Sequence, residues 1–519
     1  MRRLLLVLSI ATGATAAITA PIKTDSGQIS GTTGGANPQV HMYRGIPYAA
    51  PPTGELRWKP PQPPKPWEGV LKAEQFGARC MQAGAAAGAN GAGGQNGKNA
   101  AKGKGPGGPQ TPMSEDCLFL NVWTAAQSPS EKRPVMLWAH PGGYTSGSGQ
   151  YDGEPLASKG IVLVTINYRL GVFGFFSHPE LTKESERNAS GNQGLMDEIQ
   201  ALQWVKKNIA NFGGDPNNVT IFGDSAGASM NAGLVGSPKA KGLFGRAISE
   251  SGAWMGLSMN SMTPLKQAED AGVRVQQALG ATSLADLRTK SAEDLQAKGR
   301  GSGMMIDGWV IPEDLSLTFA QGKQNKVDIL IGSNKDEGTF FVGRGPAASP
   351  EQAVAQAKQR WGDLADQYLK LYPANTAEEA AASSLMRFRD ELGWHQRIYA
   401  KLQEKTGKNV YIYYFTHEPP SAPGQPGRGA THGAEATYVF DTPSRLWTDA
   451  DKALGEQLSS YWTNFAATGD PNGKGLPKWS PYHAKDNNQP MILGETVDLQ
   501  PDAERIALFD TLYARQKPR

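Results

Sequence analysis

The sequence predicts an α/β fold: a large, mostly parallel central sheet covered by helices on both faces. Three observations carry this. Short apolar runs rich in β-formers recur along the chain, an amphipathic helical segment lies among them, and the remainder shows no internal repeat. The runs are 134–140, 161–168, 219–223, 246–249, 327–332 and 410–415. Most of their residues are apolar on both faces, as a strand buried on both sides requires. Between the second and third runs lies 194–212. There Leu195, Ile199, Leu202, Val205 and Ile209 fall at helical spacing and give one apolar face.

Composition narrows the class. With 39% hydrophobic and 19% charged residues, the 519-residue chain is globular rather than disordered. A net charge of +3 is small for this length and argues against a nucleic-acid or anionic-membrane partner. Arg2 and Arg3, the apolar run 4–10 and the small residues 14–17 read as a signal peptide over 1–17, cleaved between about 16 and 20, with export to the periplasm or outside. That run is too short to span a bilayer, which needs roughly 20 apolar residues, so no stable membrane insertion is expected. The two cysteines of an exported chain, Cys80 and Cys117, invite one disulfide, which would contribute about 3 to 4 kcal/mol by loop closure. Between them, residues 83–111 are almost all Gly, Ala, Asn, Lys, Gln and Pro. Such a stretch buries too little to offset its chain entropy and is expected to be a flexible excursion within one domain of 21–519.

The run 219–223 leads into Gly223-Asp224-Ser225-Ala226-Gly227 and then small residues that begin a helix. A serine on so sharp a strand-to-helix turn needs nearly side-chain-free neighbours two residues away, and the turn lifts its Oγ clear of the backbone. Such a serine becomes a nucleophile only with a base and an orienting carboxylate. In this chain order the acid and then the histidine follow the serine, which leaves His395, His417, His432 and His483. His432 lies in a small-residue loop after the 410–415 strand, and His417 is closer to the strand end. Asp336 and Glu337 sit side by side after another strand, and spacing does not choose between them.

The stretch 212–227, FGGDPNNVTIFGDSAG, resembles the extended active-site signature of the type-B carboxylesterases, which include the cholinesterases. EDCLFLNV at 115–122 is similar to that family's second signature, and 43–49, 167–175 and 191–205 are also family-like. The resemblance implies an α/β-hydrolase fold with one catalytic domain and hydrolysis of a small-molecule carboxylic ester through an acyl-enzyme. NKDEGTFF at 334–341 resembles the motif carrying the triad acid, which implies Glu337; THGAEATYVF at 431–440 resembles the histidine motif, which implies His432. WAHPGGYTSGS at 138–148 resembles the oxyanion loop, so Gly142 and Gly143, with Ala226, would supply backbone N–H donors. Pro141 stands where the family more often has a first glycine; it has no N–H, but the donors are expected after it.

No metal or organic cofactor is implied, and no cluster has zinc-ligand spacing. Trp254, Phe340 and Phe341 are candidates for the substrate pocket, with core packing as the other reading. Cholinesterases stack a quaternary ammonium on a tryptophan of the first cysteine loop, and no tryptophan lies between Cys80 and Cys117 here. A lipase or an amidase would use the same site. A catalytically silent adhesion protein of this fold would be expected to lack one of Ser225, Glu337 or His432, and all are present. The sequence does not specify an oligomeric state.

Overall fold

The structure, a computed structural model, describes residues 21–82, 111–253, 255, 262–341, 349–486, 489–497 and 503–516. The leader at 1–17, positions 83–110 of the Gly/Ala-rich segment and Trp254 lie outside the described residues.

Among the described residues, ten strands form the central sheet. In chain order they are β1 Thr32–Thr33, β2 His41–Pro47, β3 Phe119–Thr124, β4 Arg133–Ala139, β5 Val162–Ile166, β6 Gly214–Asp224, β7 Arg246–Glu250, β8 Asp328–Asn334, β9 Val410–Phe415 and β10 Met491–Leu493. Their order across the sheet is β10-β9-β8-β7-β6-β4-β5-β3-β2-β1. The seven from β10 to β5 run parallel, and β3, β2 and β1 close the sheet with antiparallel pairings. The α/β class is therefore as the apolar runs predict, with an antiparallel end that they do not reveal.

Both faces are buried because successive side chains point to opposite sides of each strand. Val135, Leu137, Ile221, Ile329 and Ile331 join one core. Helix α1, Gln193–Asn208, adds Leu195, Ile199, Leu202 and Val205 to that core, and α2, Ala226–Gly236, adds Met230 and Leu234. The alternate residues Met136, Trp138, Phe222, Ile248 and Leu330 face the other core. Against them pack Leu458, Tyr461, Trp462 and Phe465 of α3, Asp449–Thr468.

The order also fixes where a site can form. From β4 the chain moves outward to β5, then returns across β4 to β6 and continues the other way to β7. Beyond the carboxyl ends of β4 and β6 the connections diverge, which opens a crevice. Gly223 pairs with Ala139, so the turns after both strands begin level with one another.

Cys80 and Cys117 form a disulfide with a Cα–Cα distance of 4.9 Å. Among the described residues no helix is long and apolar enough to cross a membrane.

Candidate active site

Ser225 stands at the end of β6, between strand and α2, with φ 57° and ψ −115°. A residue bearing a Cβ pays about 1 to 3 kcal/mol for such a backbone, so the surroundings must enforce it. They do so through neighbouring backbone. The Ser225 N–H donates to Glu250 O at 2.8 Å, and Ser225 O accepts from Ser229 N–H at 3.0 Å. The flanking glycines are sterically required. A Cβ on Gly227 would lie 2.0 Å from Ala139 O, and one on Gly223 2.7 Å from the same oxygen. The turn thus packs its backbone directly on the end of β4.

Two other strand ends bring the remaining groups. Glu337 follows β8 and is fully buried. One carboxylate oxygen accepts from Asn334 N–H at 2.9 Å, and the other lies 2.6 Å from His432 Nδ1. The neighbouring Asp336 points elsewhere: it accepts from Ala430 N–H at 2.9 Å and braces the loop that presents His432. His417 sits apart, with Nδ1 2.8 Å from Glu495 and Nε2 2.7 Å from Asp451. The structure therefore brings Glu337 and His432 together and commits Asp336 and His417 to other partners.

His432 Nε2 is buried and has no hydrogen-bond partner among the described residues, so Ser225 Oγ and this nitrogen are not bonded here. They nevertheless share a neighbourhood, because a Cβ on Gly433 would lie 3.0 Å from a carboxyl oxygen of Asp224. The rings of Phe340 and Phe341 pack beside the imidazole, with centroids 5.2 and 4.7 Å away. These two phenylalanines thus pack against the histidine ring.

Three further buried acids lie close to one another here, Asp224 and Glu435 acting on His432 and Glu250 next to both. Glu435 accepts from Tyr413 Oη at 2.9 Å and from the Asn334 side chain at 2.5 Å. Glu250 accepts from the Trp462 indole N–H at 2.7 Å. Burial pushes the carboxyls of Asp224 and Glu250 well above the usual carboxylate range, and neighbouring acids push the same way. For His432, burial works against the imidazolium. The charges of Glu337, Asp224 and Glu435 outweigh it and raise the group from 6.5 to about 9. Sequence reading noted Asp224 but not Glu250 or Glu435. The available signal was an acid closing the buried strand Arg246–Glu250 and another three residues after His432.

The loop after β4 carries Gly142 and Gly143, both at positive φ, 129° and 61°. A Cβ on Gly142 would fall 1.9 Å from Ser146 O, so glycine is obligatory there. Neither N–H donates to a backbone carbonyl among the described residues. Ala226 opens α2, where the first N–H groups have no partner within the helix. His140 anchors the loop start: its carbonyl accepts from Tyr168 Oη at 2.7 Å and its ring stacks on Tyr168 at 4.2 Å. Beside the loop is a cavity of about 350 Å³, lined by Gly143, Tyr144, Phe175, Ser229, Met304 and Leu315 among others. Sequence reading did not anticipate its Tyr144 and Met304.

Comparison with known proteins decides what this arrangement belongs to. Residues 19–508 match the family described as the Carboxylesterase family. The chain is a member of that family. This carboxylesterase is 34% identical over 491 residues to fumonisin B1 esterase of Sphingopyxis macrogoltabida, covering 89% of this chain and 84% of the relative. It is equally 34% identical over 512 residues to para-nitrobenzyl esterase of Bacillus subtilis (strain 168), covering 93% and 96%. Among solved structures, a PNB esterase superposes with a TM-score of 0.78 at 33% identity, covering 94% of this chain and 99% of the other. The carboxylesterase is thus a carboxylic ester hydrolase of the serine hydrolase class, and its fold is the α/β-hydrolase fold.

Proposed function

We propose that this carboxylesterase hydrolyses small to medium carboxylic esters through an acyl-enzyme on Ser225, with His432 as general base and Glu337 as its orienting acid. The observation that carries the reading is the Glu337–His432 contact of 2.6 Å, which leaves Nε2 buried and free beside the strained Ser225 turn. Neutral His432 takes the proton of Ser225, and Oγ adds to the ester carbonyl. The oxyanion is held by the N–H groups of Gly142, Gly143 and Ala226. The imidazolium then gives its proton to the departing alcohol, and the carbon–oxygen bond to that alcohol breaks. Water, deprotonated by the same nitrogen, adds to the acyl-enzyme, and the acid leaves as Ser225 recovers its proton.

The names of the relatives fit this substrate class, and the cavity beside Gly143 offers room for a medium-sized acyl or alcohol group. An N-terminal leader together with the Cys80–Cys117 disulfide fits export, with residues 21–519 acting as one catalytic domain.

The pH dependence tests the assignment of the base. Only neutral His432 accepts a proton, so kcat/KM rises with pH through the value of that group in the free enzyme. Because the surrounding carboxylates raise it, the half-maximum is expected well above 6.5, toward about 9. The check is kcat/KM of an alkali-stable ester against pH. A half-maximum at or below 6.5 contradicts the assignment.

A further inference from the structure

The loop bearing Gly142 and Gly143 is folded back on itself. Gly142 O accepts from the N–H groups of Thr145 at 3.0 Å and Ser146 at 3.1 Å. At its far end Gly147 adopts φ 113°, where a Cβ would lie 2.2 Å from His140 Nδ1 and 2.4 Å from Pro141 O. The end of the turn therefore touches its beginning, and a shift of Gly147 is passed to the two glycines between. Tyr168 secures the start, through His140 O.

Gln82 secures the end. This buried glutamine lies two residues after Cys80, on the chain that the disulfide ties to Cys117. Its Nε2 donates to Gly147 O at 2.8 Å and to Cys80 O at 3.1 Å, and its Oε1 accepts from Gly147 N–H at 2.9 Å. One side-chain amide thus makes both bonds that a neighbouring strand would make. Its orientation is fixed by chemistry, since exchanging oxygen and nitrogen would set donor against donor at Gly147 and acceptor against two carbonyls.

We propose that Gln82 is a positioning residue for ester hydrolysis, holding Gly147 so that the Gly142 and Gly143 N–H groups stay aimed at the developing oxyanion. The inference rests on the oxyanion-hole reading above and adds to it the element that keeps the hole in shape. Donors that stabilise only the transition state act on kcat, and misplacement of about 1 Å costs on the order of a hundredfold.

The test compares Gln82→Ala and the isosteric Gln82→Glu with wild type, using kcat and KM for a p-nitrophenyl ester, Ki for a trifluoromethyl ketone, and thermal melting. Gln82→Ala is expected to lower kcat by about 10- to 100-fold with KM within about twofold. Ki should rise by the factor by which kcat/KM falls, because the hemiketal oxyanion uses the same donors. Gln82→Glu keeps the acceptor and loses the donor, so its kcat relative to wild type should recover as pH falls and its new carboxyl takes up a proton. If both variants melt earlier yet keep kcat and Ki within about twofold of wild type, Gln82 only fills space and the proposal is overturned. A wild-type ketone Ki no tighter than that of the matching methyl ketone overturns the oxyanion-hole reading itself.

Discussion

Ser225→Ala is expected to lower kcat for a p-nitrophenyl ester by a factor of roughly 10^4 to 10^6 while leaving the fold intact. The loss is large because both halves of the reaction run through Oγ, and no other side chain of the turn can replace it. The fold is expected to persist because the hydroxyl makes no helix-capping hydrogen bond. The turn is held by backbone, with Ser225 N–H on Glu250 O and Ser225 O on Ser229 N–H. Alanine carries the same Cβ and meets the same strain at φ 57°. A melting temperature within about 3 °C of wild type, measured beside the ester assay, is the expected companion result. Turnover retained in a well-folded variant would refute the mechanism.

Glu337→Gln is expected to cost about 10^3- to 10^4-fold in kcat, nearly as much from a change that preserves shape. Both carboxylate oxygens of Glu337 face N–H donors, Asn334 N–H at one and His432 Nδ1 at the other. An amide can accept at only one of them. If its oxygen turns to Asn334, its NH2 faces Nδ1 and drives the imidazole proton to Nε2, which then cannot act as base. If its oxygen turns to His432, its NH2 opposes the Asn334 N–H across a buried contact, and the ring also loses the negative charge that stabilises the imidazolium. Steady-state kinetics across pH check this, and a loss smaller than about tenfold would show that Glu337 does not orient the base.

The fold was legible where burial left a one-dimensional trace. The run at 410–415 coincides with β9, and the run at 246–249 with all but the last residue of β7, because strands covered on both faces are mostly apolar and need not alternate. The helical signal at 194–212 meets α1, which passes into a tighter 3-10 turn at Ile209–Phe212. The antiparallel end was not legible. Strands as short as Thr32–Thr33, or as polar as His41–Pro47, carry too little pattern to separate from a loop. Within the site, residue spacing reached the loops of Glu337 and His432 and stopped. Asp336 and Glu337 are adjacent, and only the folded chain shows that one braces Ala430 while the other meets His432. The buried acids Glu250 and Glu435 escaped for a related reason. Their place at a strand end and three residues after His432 is a local signal, but only tertiary packing encloses the carboxyls.

Site-directed labelling tests the central claim most directly. The carboxylesterase is treated with a phosphonylating serine reagent, digested, and the modified peptide located by mass spectrometry. The predicted result is a single adduct on Ser225 that accumulates in step with loss of activity and is missing from Ser225→Ala. Complete inactivation with the adduct on a different residue would contradict the assignment of Ser225 as the nucleophile.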